Sequence, residues 1–364
     1  MSTQIDKPAA KSLSVQAIVF TEIIWAVLAV LFFLLFSVAD PGKDRPVWYS
    51  YGTSVFELVA YLTAAILCFR NWRSPQIVSG RKVWFGIGMG MLCYFLGGVL
   101  FTFWETFLGR NADVSPGDFF YVPTYLFLGW GMVMAFADRR LNLEVWQWGI
   151  VAGIAAISIA FATWLTISPA KTASADLFGI EPVSAQTTAT PAKPKVKAAQ
   201  ISPKPGSQTP IVQPSQPTPQ AITSPQPAPL LPSGQKAVPI SSEVEQKATP
   251  AWVSAVEKTL APLKLFLNYF YVVADVFILI VATTLLLAFW GGRFSQSWRM
   301  IAAAAFSLYV ADMWFKYATA RLENYQSGGL LEIFWVLSGV LFGIGAALEF
   351  DLSRSRRAGG RRRA

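Results

Sequence analysis

From Val15 to Val38 the chain reads VQAIVFTEIIWAVLAVLFFLLFSV, with Glu22 as its one charged residue. A helix that crosses a hydrocarbon core of about 30 Å needs roughly 20 apolar residues. This run meets that requirement. It is too long for the apolar core of a cleaved signal peptide, and no small-x-small site follows it before Pro41. The span it predicts is 17–38. Further segments read the same way near 54–70, 83–104, 118–137, 145–167, 265–290, 298–319 and 330–350. Segment 54–70 is the shortest; Trp48, Tyr49 and Tyr51 on one side and Trp72 on the other flank it like interfacial aromatic belts. The expected fold is an all-α integral membrane protein with about eight transmembrane helices.

Composition agrees. Only 14% of the 364 residues are charged and 54% are hydrophobic, against about 25% charged in a soluble domain. There is no His, which removes His-ligated metals, Ser/His and Cys/His nucleophiles and His proton relays. Cys68 and Cys93 are too few for a disulfide framework or an iron–sulfur cluster, and both sit in apolar runs where they pack. No phosphate-cradling glycine loop occurs, since Gly86, Gly88 and Gly90 lie inside a span. Gly117-Asp118 resembles part of an intramembrane aspartyl protease motif, but Ser115 stands where that motif has glycine and no partner Tyr-Asp pair appears. The expectation is a protein that is not an enzyme and takes no cofactor and no metal.

The net charge of +9 is largely a property of one end: Arg354, Arg356, Arg357, Arg361, Arg362 and Arg363 lie in the last eleven residues. A polybasic run directly after a span fits anionic lipid headgroups, at about 1 kcal/mol per residue near the surface. It does not fit nucleic acid, which calls for basic residues spread over a folded face. Short connections set the orientation. With the N-terminus in the cytoplasm, the inner loops hold Lys7 and Lys11, then Arg70, Arg73, Arg81 and Lys82, then Arg139 and Arg140, then Arg293 and Arg299, then the arginine tail. The outer loops hold Lys43, Arg45, Arg110 and Arg321 beside Asp44, Asp113 and Glu323. Both termini are expected in the cytoplasm of a cell with this protein in its inner (plasma) membrane.

The organisation expected is a cytoplasmic tail at 1–16, a first four-span unit within 17–168, a linker at 169–262, the remaining spans at 263–350 and a polybasic tail at 351–364. The linker holds seventeen of the 23 prolines and has no aromatic residue from Pro182 to Pro250. Such a stretch buries too little apolar surface to offset its ordering entropy, so a disordered, partly polyproline-II tether is expected outside. Near its end Trp252, Val253, Val256 and Leu260 share one helical face, which predicts a short amphipathic helix over 251–261 at the membrane surface.

The halves match at a constant offset. Asp118-Phe119-Phe120-Tyr121-Val122 falls on Glu332-Ile333-Phe334-Trp335-Val336, Gly129 on Gly343, Gly131 on Gly345, Phe136 on Phe350, Trp84 on Trp298 and Gly98 on Asp312. After a four-residue shift, Glu57 falls on Asp275 and Trp72 on Trp290. This predicts two parallel four-helix repeats, the second beginning near 145, related by an axis along the membrane normal. Gly86-x-x-x-Gly90, Gly149-x-x-x-Gly153 and Gly339-x-x-x-Gly343 offer faces for close helix approach. Pro123 predicts a kink in its span.

Ionisable groups within spans carry the functional expectation. Asp275 is deepest, about 15 Å into its span at 1.5 Å per residue. With no cation near it in sequence, it must hold a proton or a partner. Asn268, Tyr269 and Tyr271 are its expected donors. Asp312 is expected to pair with Lys316 four residues on. Glu57, Glu105, Asp118 and Glu332 lie at or near outer helix ends. Two readings of these carboxylates stand: a ligand- or proton-binding cavity, or anions favoured by the helix macrodipole and by headgroup water. Ser115-Pro116 before Asp118 reads as an N-cap with proline at N1. Glu22 is expected to snorkel to the inner face.

The run Ser115-Pro116-Gly117-Asp118-Phe119-Phe120-Tyr121-Val122-Pro123, with Leu126-Phe127-Leu128-Gly129, resembles the bacterial multi-span sensory modules that precede GGDEF/EAL or histidine-kinase domains. Tyr271 with Asp275, and Gly328-Gly329-Leu330-Leu331-Glu332-Ile333-Phe334-Trp335, are similar to the aromatic-plus-Asp and G-G-L-L-D-x-x-W stretches of those modules. The resemblance implies sensing, here by a stand-alone module without an output domain. On that reading Asp275, Asp312, Lys316, Glu57, Tyr271, Asp118 and Glu332 line an outer acidic cavity. The arginine tail meets membrane lipids or a cytoplasmic or membrane signalling partner. Two other readings remain open: a small-solute or cation transporter or channel, and a membrane scaffold. Reporter fusions after Arg140, Gln216 and Arg363 are expected to report cytoplasm, outside and cytoplasm in turn; an outside signal at Arg140 or Arg363 overturns the topology.

Overall fold

The structure is a computed structural model that describes residues 14–38, 45–110, 114–137, 143–167, 250–290, 295–322 and 325–361. Most of the expected N-terminal tail, the expected disordered linker up to residue 249, and Arg362 and Arg363 lie outside the described residues, as do the side chains of Arg356, Arg357 and Arg361. Among the described residues the fold is helical throughout. The helices are α1 (Val15–Phe36), α2 (Val47–Arg73), α3 (Arg81–Thr102), α4 (Asp118–Ala137), α5 (Val145–Ile167), α6 (Ala251–Leu260), α7 (Lys264–Ala288), α8 (Ser295–Arg321) and α9 (Ile333–Arg361). Each of the eight expected segments is a helix. Six helical stretches are long and apolar enough to cross a membrane: Val15–Phe36, Val47–Arg73, Arg81–Phe107, Val145–Leu165, Ala251–Ala288 and Leu330–Ser355. The protein is therefore a multi-pass membrane protein. Among the described residues α4 and α8 are not among these six. Asp118 and Pro123 sit in the one; Arg299, Asp312, Lys316 and Arg321 in the other.

Local chemistry sets several boundaries. The Ser14 side chain caps α1 by accepting from the Ala17 amide at 3.2 Å. Gly80 and Gly328 precede α3 and the α9 segment with φ of 98° and 104°, a region that side chains with a Cβ rarely adopt. Helix α2 runs well beyond the short span expected of it. Helix α4 runs from Asp118 past Pro123, and ahead of it the Ser115 hydroxyl oxygen accepts from the Gly117 amide at 3.1 Å, as the N-cap reading expects. The span expected to end near 350 continues as α9 to Arg361, so Arg354 lies on a helix and not in a separate tail. Helix α6 forms where the amphipathic pattern placed it, with Val253 and Leu260 buried and Trp252 exposed.

Packing arranges the helices as a closed ring. Helix α2 packs on α3, α3 on α4, α4 on α7, α7 on α8, α8 on α9, and α9 back on α2. Helix α1 lies outside against α9 and α2, and α5 outside against α7 and α8. Both outer helices turn large apolar side chains outward, among them Ile24, Leu31 and Leu35 on α1 and Ile157 and Phe161 on α5. Such faces are at home against lipid. Antiparallel chain order puts Arg70, Arg73, Arg81, Arg299 and Arg354 at one end, the basic end, and Arg45, Glu105, Asp118 and Glu332 at the other, the acidic end.

In the basic half the ring is filled. Tyr61 and Cys68 of α2, Ile87 and Met91 of α3, Leu128 and Met132 of α4, Ile278 and Leu285 of α7, Ile301 and Leu308 of α8 and Phe342 and Ala346 of α9 form one buried apolar core. Glycines bring the backbones together there. A Cβ on Gly86 would sit 2.6 Å from the Gly131 Cα, and one on Gly339 2.9 Å from the Ala60 Cβ. The Gly149 and Gly153 positions meet nothing within 4 Å, so that motif packs no helix in this fold. Glu22 does not snorkel: it is buried and faces Gly343, the Glu22 carboxylate oxygen lying 3.1 Å from where a Cβ would stand. Gly86→Val is expected to cost on the order of 1–3 kcal/mol, because the atoms it strikes are backbone and cannot swing aside. Gly149→Ala is expected to be neutral. Thermal unfolding of the two purified variants separates these outcomes.

Candidate functional site

The acidic half of the ring holds the polar groups. Asp312 of α8 is their hub. Its Oδ2 accepts a short hydrogen bond from the Tyr125 hydroxyl of α4, and its Oδ1 accepts from the Trp335 indole N–H of α9 at 2.7 Å. Asp275 of α7 faces Asp312 and Tyr125. It is 2% exposed, and neither of its carboxyl oxygens receives a hydrogen bond. Asp275 is thus not a lone carboxylate but one of two side by side.

The expected Asp312–Lys316 pair does not form. The Lys316 Nζ donates to the Asn268 carbonyl at 3.1 Å and to its side-chain oxygen at 2.8 Å, and lies 5.4 Å from the Tyr271 ring centroid. The cause is positional: Asn268 sits one turn before the helix interior of α7, within reach of the long ammonium stem, while two N–H and O–H donors already occupy Asp312. Tyr271 does not reach Asp275 either. Its hydroxyl donates to Asp118 Oδ1 at 2.5 Å, and Tyr269 is exposed. The other oxygen of Asp118 accepts from the Ser115 amide at 2.8 Å, closing the first turn of α4 in the manner of a capping box.

Beside this pair a cleft opens at the acidic end. Its walls come from α1, α2, α3, α4 and the segment leading into α9. Glu57, Glu105 and Glu332 line it, with Ser50, Ser54, Thr102 and Ser327 as hydroxyl groups and Phe33, Phe101, Tyr121 and Trp335 as aromatic walls. A π turn over Phe103–Phe107 ends α3, closed by the Leu108 amide donating to the Phe103 carbonyl at 3.1 Å. This widened turn carries Glu105, which accepts from the Ser327 hydroxyl at 2.8 Å. Glu332 accepts from the Gly328 amide at 2.6 Å and from the Tyr325 hydroxyl. Burial, and then the charge of Glu332, hold the Tyr325 phenol well above its ordinary value, so it stays a donor. Arg45 is the cation at this mouth. It donates to the Ser327 carbonyl at 3.0 Å and its charge acts on Glu105 and Glu332.

The structure thus joins Asp275 to Asp312 and Tyr271 to Asp118, and puts Glu57 and Glu332 on one cleft. Lys316 stays near Tyr271. Arg354 is exposed at the basic end, far from these groups in every helix register. Sequence reading missed Tyr125, Trp335, Tyr325 and Arg45. Tyr125 lies two helical turns after Asp118 and Trp335 three residues after Glu332, so both shared a helix face with a residue already singled out. No family model, no curated protein and no solved structure matches the chain.

Hydrogen bonds to a charged acceptor contribute about 1.5–3 kcal/mol each. Trp335→Phe removes one of the two donors to Asp312 and is expected to lower stability by that order. Combined with Asp312→Asn, its further cost should be smaller than its cost alone, a coupling that a double-mutant cycle in thermal unfolding measures.

Proposed function

We propose that the protein is a membrane sensory or regulatory module whose acidic cleft, open at the outer face, takes a small positively charged ligand and signals through a partner. One observation carries this reading. The cleft with Glu57, Glu105 and Glu332 opens at the acidic end and stops on an apolar core contributed by all six ring helices. A path for solute calls for polar groups that continue to the other side. Here the continuation is Ile87, Met91, Leu128, Ile278 and Phe342. Trp335 lines the cleft and also donates to Asp312, so an occupant that moves the indole acts directly on the buried carboxylates.

We further propose that α4 and α8 span as well, giving eight spans in two parallel repeats with the basic end cytoplasmic. The ring supports duplication: α2, α3 and α4 follow one another as α7, α8 and α9 do. Matched positions also make matched contacts. Gly131 of α4 packs on Val83, Gly86 and Ile87 of α3, and Gly345 of α9 packs on Ser297, Met300 and Ile301 of α8. Trp84 and Trp298 are both fully buried. The exposed Arg354 and its neighbours in sequence then face anionic headgroups or the cytoplasmic partner.

In a Cys68→Ala/Cys93→Ala background, Ser54→Cys is expected to react in intact cells with a membrane-impermeant maleimide. Ala305→Cys, in the apolar core, is expected to stay unlabelled from either side. Labelling of Ala305→Cys from the cytoplasmic face would establish alternating access and a transporter. Labelling of Ser54→Cys from the cytoplasm alone would reverse the orientation.

A further inference from the structure

The Asp275 carboxyl has a defined shortage. Every hydrogen that faces it is already given to another acceptor. From α4, Tyr125 gives its hydroxyl hydrogen to Asp312. From α9, Trp335 gives its N–H to Asp312 as well. On its own helix, Tyr271 donates to Asp118. From α8, Tyr309 donates to the Ser158 carbonyl at 3.2 Å, and Lys316 directs its ammonium at Asn268. From α3, Tyr94 is bonded to Glu57 of α2. What remains next to Asp275 is the carboxyl of Asp312. Two ionised carboxylates side by side, one of them sealed from water and sharing its nearest hydroxyl, that of Tyr125, with the other, cost far more than one acid bonded to one carboxylate.

We propose that Asp275 and Asp312 hold one proton between them and act as a single buried acid. The proton resides on Asp275 and is donated to Asp312 in one O–H···O hydrogen bond. That bond supplies Asp275 with its missing partner and leaves one negative charge on the pair, which the Tyr125 and Trp335 donors stabilise. A metal ion fits less well. Among the described residues no group of three or more acidic, Cys or His side chains is placed to hold one. The oxygens of Asp312 are also already covered by O–H and N–H donors, where a metal needs bare lone pairs. The proton has a way in and out. Asp312 is only partly buried, and its Trp335 partner lines the cleft.

This inference stands on the geometry of the pair, whether or not the protein is a sensor. Infrared spectra of the full chain in lipid vesicles at neutral pH test it, since a protonated carboxyl has a C=O band that is separate from ionised carboxylates and shifts in deuterium oxide. Asp275→Asn puts an N–H where the O–H stood, and is expected to remove one such band. Tyr125→Phe keeps the acid but takes one donor from its acceptor, and is expected to move that band without removing it. An unchanged spectrum in Asp275→Asn overturns the proposal. If that variant does not fold, a band that stays unmoved in Tyr125→Phe overturns it equally.

Discussion

The fold depends on one constraint: a carboxylate held among helices in a membrane takes its hydrogen bonds chiefly from those helices, because little water reaches it there. Asp312 meets this constraint with Tyr125 of α4 and Trp335 of α9, while its own helix α8 sets it against Asp275 of α7. Four of the six ring helices therefore converge on one side chain. Each donor has a single hydrogen in a fixed direction, so the rotation of α4 and of α9 about their axes is tied to the position of α8. Apolar packing alone tolerates small rotations; a two-donor carboxylate does not.

The two halves of the ring use different physics. In the basic half, helices approach through missing side chains, as at Gly86 against Gly131 and Gly339 against Ala60. Contact there is dispersion between close backbones, fastened by few polar bonds such as the Asn71 amide to the Ala346 carbonyl at 2.8 Å and the Ser297 hydroxyl to the Gly345 carbonyl at 2.8 Å. In the acidic half, side-chain hydrogen bonds join the close Gly97–Gly117 approach of α3 and the start of α4, and the space left over becomes the cleft. A tight floor thus lies beneath a polar, partly open top.

Much of this was legible in the sequence, and the part that was not has a common cause. Hydropathy located the eight long helices, because burial in lipid imposes a length that the apolar runs must match, and amphipathic spacing located α6. The ionisable residues of the acidic half were legible too, because charge inside a span is rare enough to notice. Their partners were misread. Sequence proximity pointed Lys316 at Asp312 and Tyr271 at Asp275, yet the pairs that form join different helices: Lys316 with Asn268, Tyr271 with Asp118, Tyr125 with Asp312. Ring order decides which helices meet, and no local spacing encodes it. Glu22 shows the same limit, since only the nearby Gly343 of α9 explains how a carboxylate can be buried there.

The proposed duplication gives the cleft and the buried pair a single origin. Position 98 in one half corresponds to 312 in the other, and Tyr121 to Trp335. Trp335 meets the carboxylate of Asp312, whereas Tyr121 meets a glycine, with its hydroxyl oxygen 3.7 Å from where a Gly98 Cβ would be. Gly98 and Tyr121 both line the cleft. A Cβ on Gly98 would stand 2.8 Å from the Leu58 side chain, so Leu58 takes the place that Asp312 holds in the second half, and Glu57, the counterpart of Asp275, lines the cleft beside it. One half keeps its acid sealed and paired; the other presents its acid to whatever enters. In the proposed duplication this inequality between the halves turns on as little as one position, glycine in one copy and aspartate in the other.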